Sequence, residues 1–471
     1  MRKLALSDEI LMKVDKAARY IGGEVNSIMK DKNNVDIRFA MCFPDVYEIG
    51  MSNLGMMILY NMFNEREDVW AERVFSPWLD LDKIMREKNI PLFALESQEP
   101  VKDFDFLGIT LGYEMCYTNV LQVLDLSHVS LLAKDRKEDD PIVIGGGACA
   151  YNPEPIAEFF DMFYIGESET VYYDLMDLYK EHKQNGGSRK EFLRKASHIP
   201  GIYVPSLYET TYNEDGTIAS FEPLYEDVPR TILKQVQMDL SNTFYPEKQI
   251  VPYIKVTQDR CVLEIQRGCT RGCRFCQAGM IYRPLRERSL SMLEKLASTG
   301  IKGTGNDEIS LSSLSSSDYS HLPELCNYLI DNYRAKNINI ALPSLRIDAF
   351  SLDVMSKVQD VRKSSLTFAP EAGTQRMRDV INKGLTEEVI LHGAMEAFKG
   401  GWSKVKLYFM MGLPTETEED IKGIAHLAEK IAMNYYSMDA EYRHGRISVG
   451  ASASFFVPKP FTPFQWEPQD V

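Results

Sequence analysis

Three cysteines within eight residues constrain this chain more than any other feature of its sequence. Cys269, Cys273 and Cys276 lie in the segment RGCTRGCRFCQ with the spacing C-x3-C-x2-C. Gly268 and Gly272 let the segment fold back, so that three thiolates can surround one inorganic centre. Iron–sulfur clusters are bound by cysteine thiolates, and structural zinc sites use four ligands, usually in two separated pairs. A close triad without a fourth local ligand therefore favours a four-iron cluster with one open iron.

The alternative to a cluster is a zinc loop completed by a distant cysteine or histidine, or a chance grouping. His321 is the first histidine downstream of the triad, and the sequence has no second CxxC pair. Because a structural zinc site needs four ligands, this arrangement favours the iron–sulfur interpretation.

The segment CTRGCRFC resembles the signature of the radical S-adenosylmethionine (SAM) enzymes. Phe275, the aromatic residue before the last cysteine, matches as well, and the resemblance places it near the adenine. In that family the amino and carboxylate groups of SAM occupy the open iron, and the cluster reduces SAM to a 5′-deoxyadenosyl radical that abstracts hydrogen from an unreactive C–H bond. The resemblance thus implies a 4Fe–4S cluster on Cys269, Cys273 and Cys276, SAM, and an electron donor such as flavodoxin or ferredoxin.

Length and charge limit the class of protein. The chain has 471 residues, which indicates about two to four domains. Its net charge of −15 disfavours non-specific nucleic-acid binding, although a local basic patch could still bind one RNA. Eight cysteines in so long a chain do not form a disulfide framework, and an oxygen-sensitive cluster predicts a cytoplasmic location. We expect neither a signal peptide nor a membrane span.

The first part of the chain predicts a helical lead-in followed by a parallel α/β domain. Residues 1–35 are polar and are interpreted as helical. Apolar strands are predicted at 36–44, 91–95, 106–112, 141–145 and 162–166, and helices near 54–65, 114–132 and 166–179. Nearly continuous apolar strands that alternate with helices indicate a doubly wound parallel, Rossmann-like domain over residues 36–185.

The loops at the strand ends of this domain resemble those of cobalamin-binding domains. Their motif D-x-H-x-x-G supplies a histidine that ligates cobalt from below, whereas this chain has Tyr47 between Asp45 and Gly50. The resemblance also assigns the cobalamin tail to Thr110 and to the glycines Gly145, Gly146 and Gly147. Two interpretations remain open. Either the domain binds cobalamin without the lower nitrogen ligand, or it has lost the cofactor and serves as a scaffold or substrate platform.

A connector is predicted over residues 186–255, with a β-hairpin that turns at 213–216. It leads into a second predicted domain over residues 256–456. Six strands are predicted there, at 261–267, 307–313, 338–344, 364–370, 403–411 and 447–454, with helices near 290–300, 319–336, 351–361, 374–400 and 418–435. Six β–α repeats indicate a partial (β/α)6 barrel of the TIM type, whose active site gathers at the carboxyl ends of its strands.

Polar segments with Gly or Pro follow the strands of this predicted barrel. By resemblance to radical SAM barrels, the serine-rich loop with Ser313, Ser315 and Ser316 contacts the amino acid end of SAM. Glu371 then meets the ribose, and Gly412, in the segment MGLPTE, passes under the adenine. Arg346 is a candidate for a contact with the SAM carboxylate or the substrate, and the alternative is an ion pair with Asp348 or Glu371.

The segment 457–471 resembles the stretch after the last barrel strand of cobalamin-type radical SAM proteins, which usually continue further. The resemblance implies a shorter member or a truncated one. The first hypothesis is a cobalamin-dependent radical SAM enzyme that transfers a methyl group to an unactivated carbon. The second is a cobalamin-free radical SAM oxidoreductase, ring-former or methylthiotransferase, and the third a non-catalytic cluster-bearing sensor or RNA-associated protein. The substrate is left open among small molecules, peptides and RNA.

Overall fold

The structure, a computed structural model, describes residues 3–342, 366–443 and 445–469. Its contacts divide the chain into two units. The first unit comprises Met1–Met238 and Asn242–Asp259, and the second comprises Asp239–Ser241 and Arg260–Val471. No helix within the described residues is long and apolar enough to cross a bilayer.

A six-stranded sheet forms the centre of the first unit. Its strands are β1 (Ile37–Phe43), β2 (Val69–Phe75), β3 (Phe106–Thr110), β4 (Ile142–Gly146), β5 (Met162–Tyr164) and β6 (Ile202–Tyr203). The order is β2-β1-β3-β4-β5-β6, and every pair is parallel except β5 with β6. All residues of β1 and β2 are buried, as expected when helices cover both faces of a parallel sheet. The predicted doubly wound α/β domain is confirmed.

Seven helices accompany this sheet among the described residues of the first unit. They are α1 (Asp8–Leu11), α2 (Tyr47–Gly50), α3 (Leu54–Asn64), α4 (Leu79–Lys88), α5 (Tyr117–Leu126), α6 (Tyr172–Asn185) and α7 (Arg189–Ala196). The predicted hairpin of the connector is present as the antiparallel strands β7 (Tyr208–Tyr212) and β8 (Ile218–Pro223).

The prediction of a helical lead-in over residues 1–35 is wrong. From residue 3 onward, that segment holds only the four-residue α1 and two 3-10 turns, Ala17–Arg19 and Lys32–Asn34. Gly22, Gly23 and Asn26 have positive φ angles, which end any continuing helix. The segment instead packs irregularly on the first unit and buries Ile10 and Tyr20 in its core.

The strand predicted at 91–95 is also wrong, and β2 was not predicted. Residues 91–95 form a buried turn in which the Ala94 amide donates to the carbonyl oxygen of Glu99, 3.0 Å away. The sequence of β2, VWAERVF, carries Glu72 and Arg73 inside the sheet, which breaks the expected apolar pattern. Both charges are paired there, Arg73 with Glu96 at 2.6 Å and Glu72 with Arg38 at 2.7 Å. Such pairing is what permits charged side chains in a core.

The second unit contains two three-stranded parallel sheets and one short antiparallel pair. Its strands are β9 (Cys261–Glu264), β10 (Gln266–Arg267), β11 (Arg286–Glu287), β12 (Glu308–Ser312), β13 (Asn339–Ala341), β14 (Leu366–Glu371), β15 (Lys404–Met411) and β16 (Ser448–Phe455). The sheet orders are β13-β12-β9 and β14-β15-β16, and β10 pairs with β11. All six predicted barrel strands are therefore present, and the partial-barrel fold class is confirmed.

The helices of the second unit follow the strands in the β–α alternation of a barrel. They are α8 (Ala278–Ile281), α9 (Leu290–Thr304), α10 (Leu322–Tyr333), α11 (Gln375–Val380), α12 (Glu387–Lys399) and α13 (Glu418–Ser437). Side chains of α12 and α13, such as Phe398 and Ile431, share one buried cluster with Val405 and Leu407 of β15. The helix predicted near 351–361 lies outside the described residues.

Candidate functional site

The cysteine loop follows β10 and is closed by a glycine. Gly268 has φ +86°, and a Cβ there would lie 2.6 Å from the carbonyl oxygens of Tyr282 and Pro284. Only glycine fits so close an approach of two backbone segments. The loop therefore folds back on residues 282–285, as the sequence predicted, and carries the three cysteines beyond this closure.

Two of the three thiols accept backbone hydrogen bonds. The Arg271 amide donates to Cys269 Sγ at 3.4 Å, and the Gly279 amide donates to Cys276 Sγ at 3.3 Å. Cys269 and Cys276 are partly exposed, and Cys273 is buried. Among the described residues, no three His, Cys, Asp or Glu side chains already stand together as a metal-holding group. The loop supplies three sulfur donors, which suits an iron–sulfur cluster.

The cysteine loop is fastened to segments that follow both three-stranded sheets. Its Arg271 forms an ion pair of 2.5 Å with Asp318, in the loop after β12. On the other side, Asn382 Nδ2 donates to the Gly272 carbonyl at 2.8 Å. The Arg274 amide donates to the carbonyl of Ile381 at 2.9 Å, next to the end of α11. Contacts on both sides hold the backbone of the loop in place.

Phe275, Glu371 and Gly412 border one apolar cluster. Phe275 packs against this cluster, whose buried members are Ala372, Met377, Ile381, Leu413, Phe456 and Phe464. Glu371 ends β14 and Gly412 follows β15, so each directly precedes a member of the cluster. The Lys383 ammonium donates to Glu371 Oε1 at 3.0 Å and lies 6.0 Å from the centroid of the Phe275 ring. Three residues predicted to contact SAM are thus brought together by the fold.

Glu371 and Gly412 both have positive φ angles. Their φ angles are +68° and +75°, and left-handed backbone is uncommon for a glutamate. The Gly412 amide donates to Glu416 Oε2 at 2.6 Å, and burial raises the pKa of the Glu416 carboxyl. A non-glycine residue held at positive φ stores on the order of 1–3 kcal/mol, and such residues cluster at ligand sites.

The serine loop after β12 contains unsatisfied polar atoms. Ser313 Oγ and Ser316 Oγ are 3.0 Å apart, and Gln266 Nε2 donates to the Ser315 carbonyl at 2.8 Å. Ser315 Oγ and Gln266 Oε1 are buried without a hydrogen-bond partner among the described residues. Buried polar atoms nearly always have a hydrogen-bond partner. These two atoms therefore fit a site where a polar ligand or an ordered water supplies the missing hydrogen bonds. Arg346 lies outside the described residues.

In the first unit, Asp45, Thr110 and Gly146 meet at the carboxyl edge of the sheet. Thr110 pairs with Gly146 in register, and Asp45 follows the neighbouring β1. A Cβ on Gly145 would lie 2.7 Å from Phe163, and one on Gly147, with φ +108°, 2.8 Å from the Leu111 carbonyl oxygen. A Cβ on Gly146 would meet no atom within 4 Å. Gly145 and Gly147 therefore serve internal packing, whereas Gly146 leaves open space at the edge.

Tyr47 lies in the core instead of at this edge. Its side chain is 1% exposed, and its hydroxyl donates to Glu24 Oε1 at 2.7 Å. Glu24 is in turn paired with Arg73 at 2.7 Å. A Cβ on Gly50 would come within 2.3 Å of the Phe75 ring, so this glycine is explained by packing. The open sheet edge at Gly146 has room for a cobalamin tail, but the buried Tyr47 side chain presents no ligand for cobalt.

Several residues of the site were not singled out from the sequence. They are Gln266, Asp318, Asn382 and Lys383, which position the cysteine and serine loops or Glu371. Asn382 has φ +53°, and an asparagine two residues before a glycine after a short helix signals such a turn. The others are ordinary polar residues, whose roles depend on contacts made across 12 to 110 positions of the sequence.

Comparison with known protein families gives two matches. A model described as "Radical SAM proteins, N-terminal" matches residues 55–205, and one described as "Radical SAM superfamily" matches residues 263–428. The second match includes the cysteine loop, the serine loop, Glu371 and Gly412.

Two archaeal relatives match over most of their length. An uncharacterised protein of Methanocaldococcus jannaschii is 32% identical over 435 residues, which cover 92% of this chain and 80% of the relative. A Pyrococcus horikoshii protein named as an uncharacterised methyltransferase is 23% identical, with 81% of this chain and 74% of the relative covered.

Two solved structures share the fold. The radical SAM methyltransferase TsrM of Kitasatospora setae, with cobalamin and a [4Fe-4S] cluster bound, has a TM-score of 0.57 at 11% identity, covering 91% of this chain and 74% of its own. The cobalamin-dependent enzyme OxsB, with aqua-cobalamin and SAM bound, has a TM-score of 0.55 at 14% identity over 83% of this chain. The chain spans about half the length of OxsB (52%). At these identities the likeness shows the fold alone.

Proposed function

This chain belongs to the radical SAM superfamily, and on that premise we propose that it cleaves SAM reductively at a 4Fe–4S cluster. We further propose that it uses cobalamin to transfer a methyl group to an unactivated carbon. The observation that carries the proposal is the cysteine loop, which holds three sulfur donors between the serine loop and the segment after β14. When bound, the cluster and SAM supply a 5′-deoxyadenosyl radical.

The residues of the cysteine loop bind the cluster and influence its reduction potential. Cys269, Cys273 and Cys276 are its proposed ligands. The amides of Arg271 and Gly279 already donate to two of the sulfurs, and hydrogen bonds to cluster sulfurs are one of the factors that set its reduction potential. The Arg271–Asp318 ion pair orients the same backbone, because Arg271 supplies both the amide and the guanidinium.

The surrounding segments hold SAM. Ser315 Oγ and Gln266 Oε1 are buried polar atoms without partners among the described residues, and they suit the charged amino acid end of SAM. Glu371, beside the apolar cluster that supports Phe275, suits a ribose hydroxyl, and Gly412 allows the adenine to approach the backbone closely.

The use of cobalamin is supported by the first unit and by the relatives. The sheet edge at Thr110 and Gly146 is open, as a bound tail requires. Both solved structures contain bound cobalamin, and one relative is named as an uncharacterised methyltransferase. Because the Tyr47 hydroxyl is bonded to Glu24 in the core, the cobalt would have no side-chain ligand from this position.

The burial of Tyr47 favours a second candidate, a radical SAM enzyme that does not use cobalamin. In that case the first unit serves as a scaffold or substrate platform. A flavodoxin or ferredoxin remains the proposed reductant, the cytoplasmic location stays a prediction, and the substrate is addressed below only by its chemical class.

Anaerobic purification from cells supplied with cobalamin tests the proposal. We expect four irons per chain, near-stoichiometric corrin, and 5′-deoxyadenosine when SAM and a reductant are added. Cys273→Ala removes a cluster ligand and should abolish cleavage, whereas Cys326→Ala, a buried thiol of α10 in the same unit, should retain it. Iron with cleavage but no corrin would select the cobalamin-free candidate. Full cleavage by Cys273→Ala would refute the cluster assignment.

A further inference from the structure

The sheet β14-β15-β16 has one face buried by the helices α12 and α13 and one face that is exposed along β15. Leu366, Phe368, Val405, Leu407 and Phe409 point to the covered face, where they are buried with α12 and α13. The alternate residues of the same strands point the other way, and Thr367, Lys404, Lys406 and Tyr408 are exposed. In a (β/α) barrel the face away from the helices is the inside. We call this exposed side of β14-β15-β16 the inner face.

This inner face differs from the interior of a structural barrel. Barrel interiors are normally filled by layers of branched apolar side chains. Here Lys406 pairs in register with Gly450, and Tyr408 with Ser452 of the same neighbouring strand. A Cβ on Gly450 would meet no atom within 4 Å, so there is open space directly beside Lys406. The inner face is therefore polar and leaves room for a ligand.

Lys406 and Tyr408 form a pair that carries an uncompensated positive charge. The Lys406 ammonium donates to the Tyr408 hydroxyl at 3.0 Å and lies 4.6 Å from the centroid of its ring. No carboxylate among the described residues lies within ion-pair distance of Lys406, although the chain as a whole is strongly acidic. Two ammonium N–H groups and the phenolic O–H remain available as donors on this open face.

Acidic residues of the other barrel sheet are already neutralised. Glu264 at the end of β9 is paired with Arg267 at 2.9 Å and with Arg288 at 3.1 Å. Glu308 at the start of β12 is paired with Arg260 at 3.0 Å. Among the residues that the structure describes, the unpaired charge on the inner face is therefore positive, which favours an anionic ligand.

We propose that Lys406 and Tyr408 bind the anionic group, a carboxylate or a phosphate, of a small organic substrate inside the barrel. This inference rests on the proposed radical SAM function, because it assigns a substrate class to that site. Tyr408 precedes Gly412 by four residues, or about 13 Å at ~3.3 Å per strand residue. An anion held there leaves the remainder of a small molecule extending along β15 toward the carboxyl end of the sheet, where Gly412 lies.

Amine footprinting of the metal-free 471-residue chain tests the proposal without requiring turnover. Acylation of individual lysines by an N-hydroxysuccinimide ester is followed by peptide mass spectrometry, with inorganic phosphate, acetate or chloride added at equal ionic strength. An anion at twice its dissociation constant should slow acylation of Lys406 about threefold. Lys302, an exposed lysine of α9 with no ion pair among the described residues, is the control and should be unaffected.

The three anions distinguish a phosphate group of the substrate from a carboxylate group. Protection by phosphate alone indicates a phosphorylated substrate, and protection by acetate alone or by both indicates that a carboxylate suffices. Tyr408→Phe should weaken the protection, because it removes the phenolic donor, while Lys406 stays available as the reporter. Equal protection by chloride, protection of Lys302 as well, or full protection in Tyr408→Phe would each overturn the proposal.

The test also separates this inference from the proposed function. Protection without any SAM cleavage by the reconstituted enzyme would retain the anion site and refute the radical chemistry. SAM cleavage without protection of Lys406 would retain the radical chemistry and refute the anion site.

Discussion

Burial distinguishes the loop cysteines from other thiols of the same unit. Cys269 and Cys276 are partly exposed, whereas Cys261 and Cys326 are buried, and desolvation raises their pKa values to about 11 and about 12. Because the thiolate is the reactive form, iodoacetamide at pH 8 should modify Cys269 and Cys276 of the metal-free protein and spare the buried pair. Peptide mass spectrometry measures this. Loading with iron and sulfide should protect the loop, and equal labelling of Cys261 would contradict the burial.

At the same scale, the residues that the sequence could propose for the site are those that lie in short motifs. The cysteine spacing, Phe275, Glu371 and Gly412 lie in short motifs, and the fold brings the last three to one apolar cluster. Tyr47 could not be placed from its motif, because its position depends on Glu24, which lies 23 residues away in the lead-in. Contacts between distant segments leave no periodic signal in either segment.

Among the structural elements, the turn after β4 requires a glycine at position 147 but not at position 146. Gly147 has φ +108°, and a Cβ there would press on the Leu111 carbonyl, whereas Gly146 faces open space. Gly147→Ala should therefore cost about 1–3 kcal/mol of unfolding free energy, as backbone strain of this kind does. Gly146→Ala should stay within about 0.5 kcal/mol of the parent. Urea unfolding followed by tryptophan fluorescence measures both.

The same two variants test whether the open sheet edge at Gly146 binds the corrin. Gly146→Ala places a methyl group in the open space at the sheet edge, so we expect it to lower the corrin content of purified protein while the fold is kept. If Gly146→Ala is as unstable as Gly147→Ala, the assignment of open space is wrong. Unchanged corrin content would show that the cofactor does not approach this glycine.

The contact between α2 and the lead-in should make stability depend on pH. Burial opposes ionisation of Glu48, but hydrogen bonds from Arg19 and Lys16 outweigh it and lower its pKa from 4.5 to about 2. A carboxyl with a lowered folded pKa stabilises the native state above its unfolded pKa. This contribution is lost as the pH falls through the folded value. Thermal unfolding from pH 7 to pH 2 should therefore show Glu48→Gln less stable near neutrality and converging on the parent in acid.

The matched control for this comparison is Glu181→Gln. Glu181 is an exposed glutamate of α6 that makes no ion pair among the described residues. Its melting curve should follow that of the parent at every pH. A constant offset between Glu48→Gln and the parent down to pH 2 would contradict the role of the Glu48 charge.

Elements with a strong local pattern were predictable, and those stabilised by distant partners were not. The strands β3, β4 and β15 follow apolar runs, and each lies within two residues of its predicted bounds. The strand β2 was missed because Glu72 and Arg73 interrupt its apolar run, and only the structure shows their buried ion pairs. The lead-in carries enough charge to resemble a helix, yet its apolar residues complete the core of the first unit.

At the scale of the whole molecule, the residues proposed to bind the two cofactors belong to different units. The cysteine loop, Glu371 and Gly412 belong to the unit Arg260–Val471, whereas Asp45, Thr110 and Gly146 belong to Met1–Met238. Ligand binding to the native state suppresses local opening of the segments that it stabilises. Hydrogen–deuterium exchange on the 471-residue chain should therefore respond to each cofactor in a different part of the chain.

Iron and sulfide should slow amide exchange in residues 268–283 and 379–383, because Arg274 and Asn382 join these segments by hydrogen bonds. Cobalamin added alone should slow exchange at 110–115 and 145–152, where the open edge lies. The strands β1 and β2 are fully buried and should change with neither addition. Slower exchange throughout both units on iron loading alone would show that the cluster stabilises the chain as one cooperative body, and the separate assignment of the two cofactors would then fail.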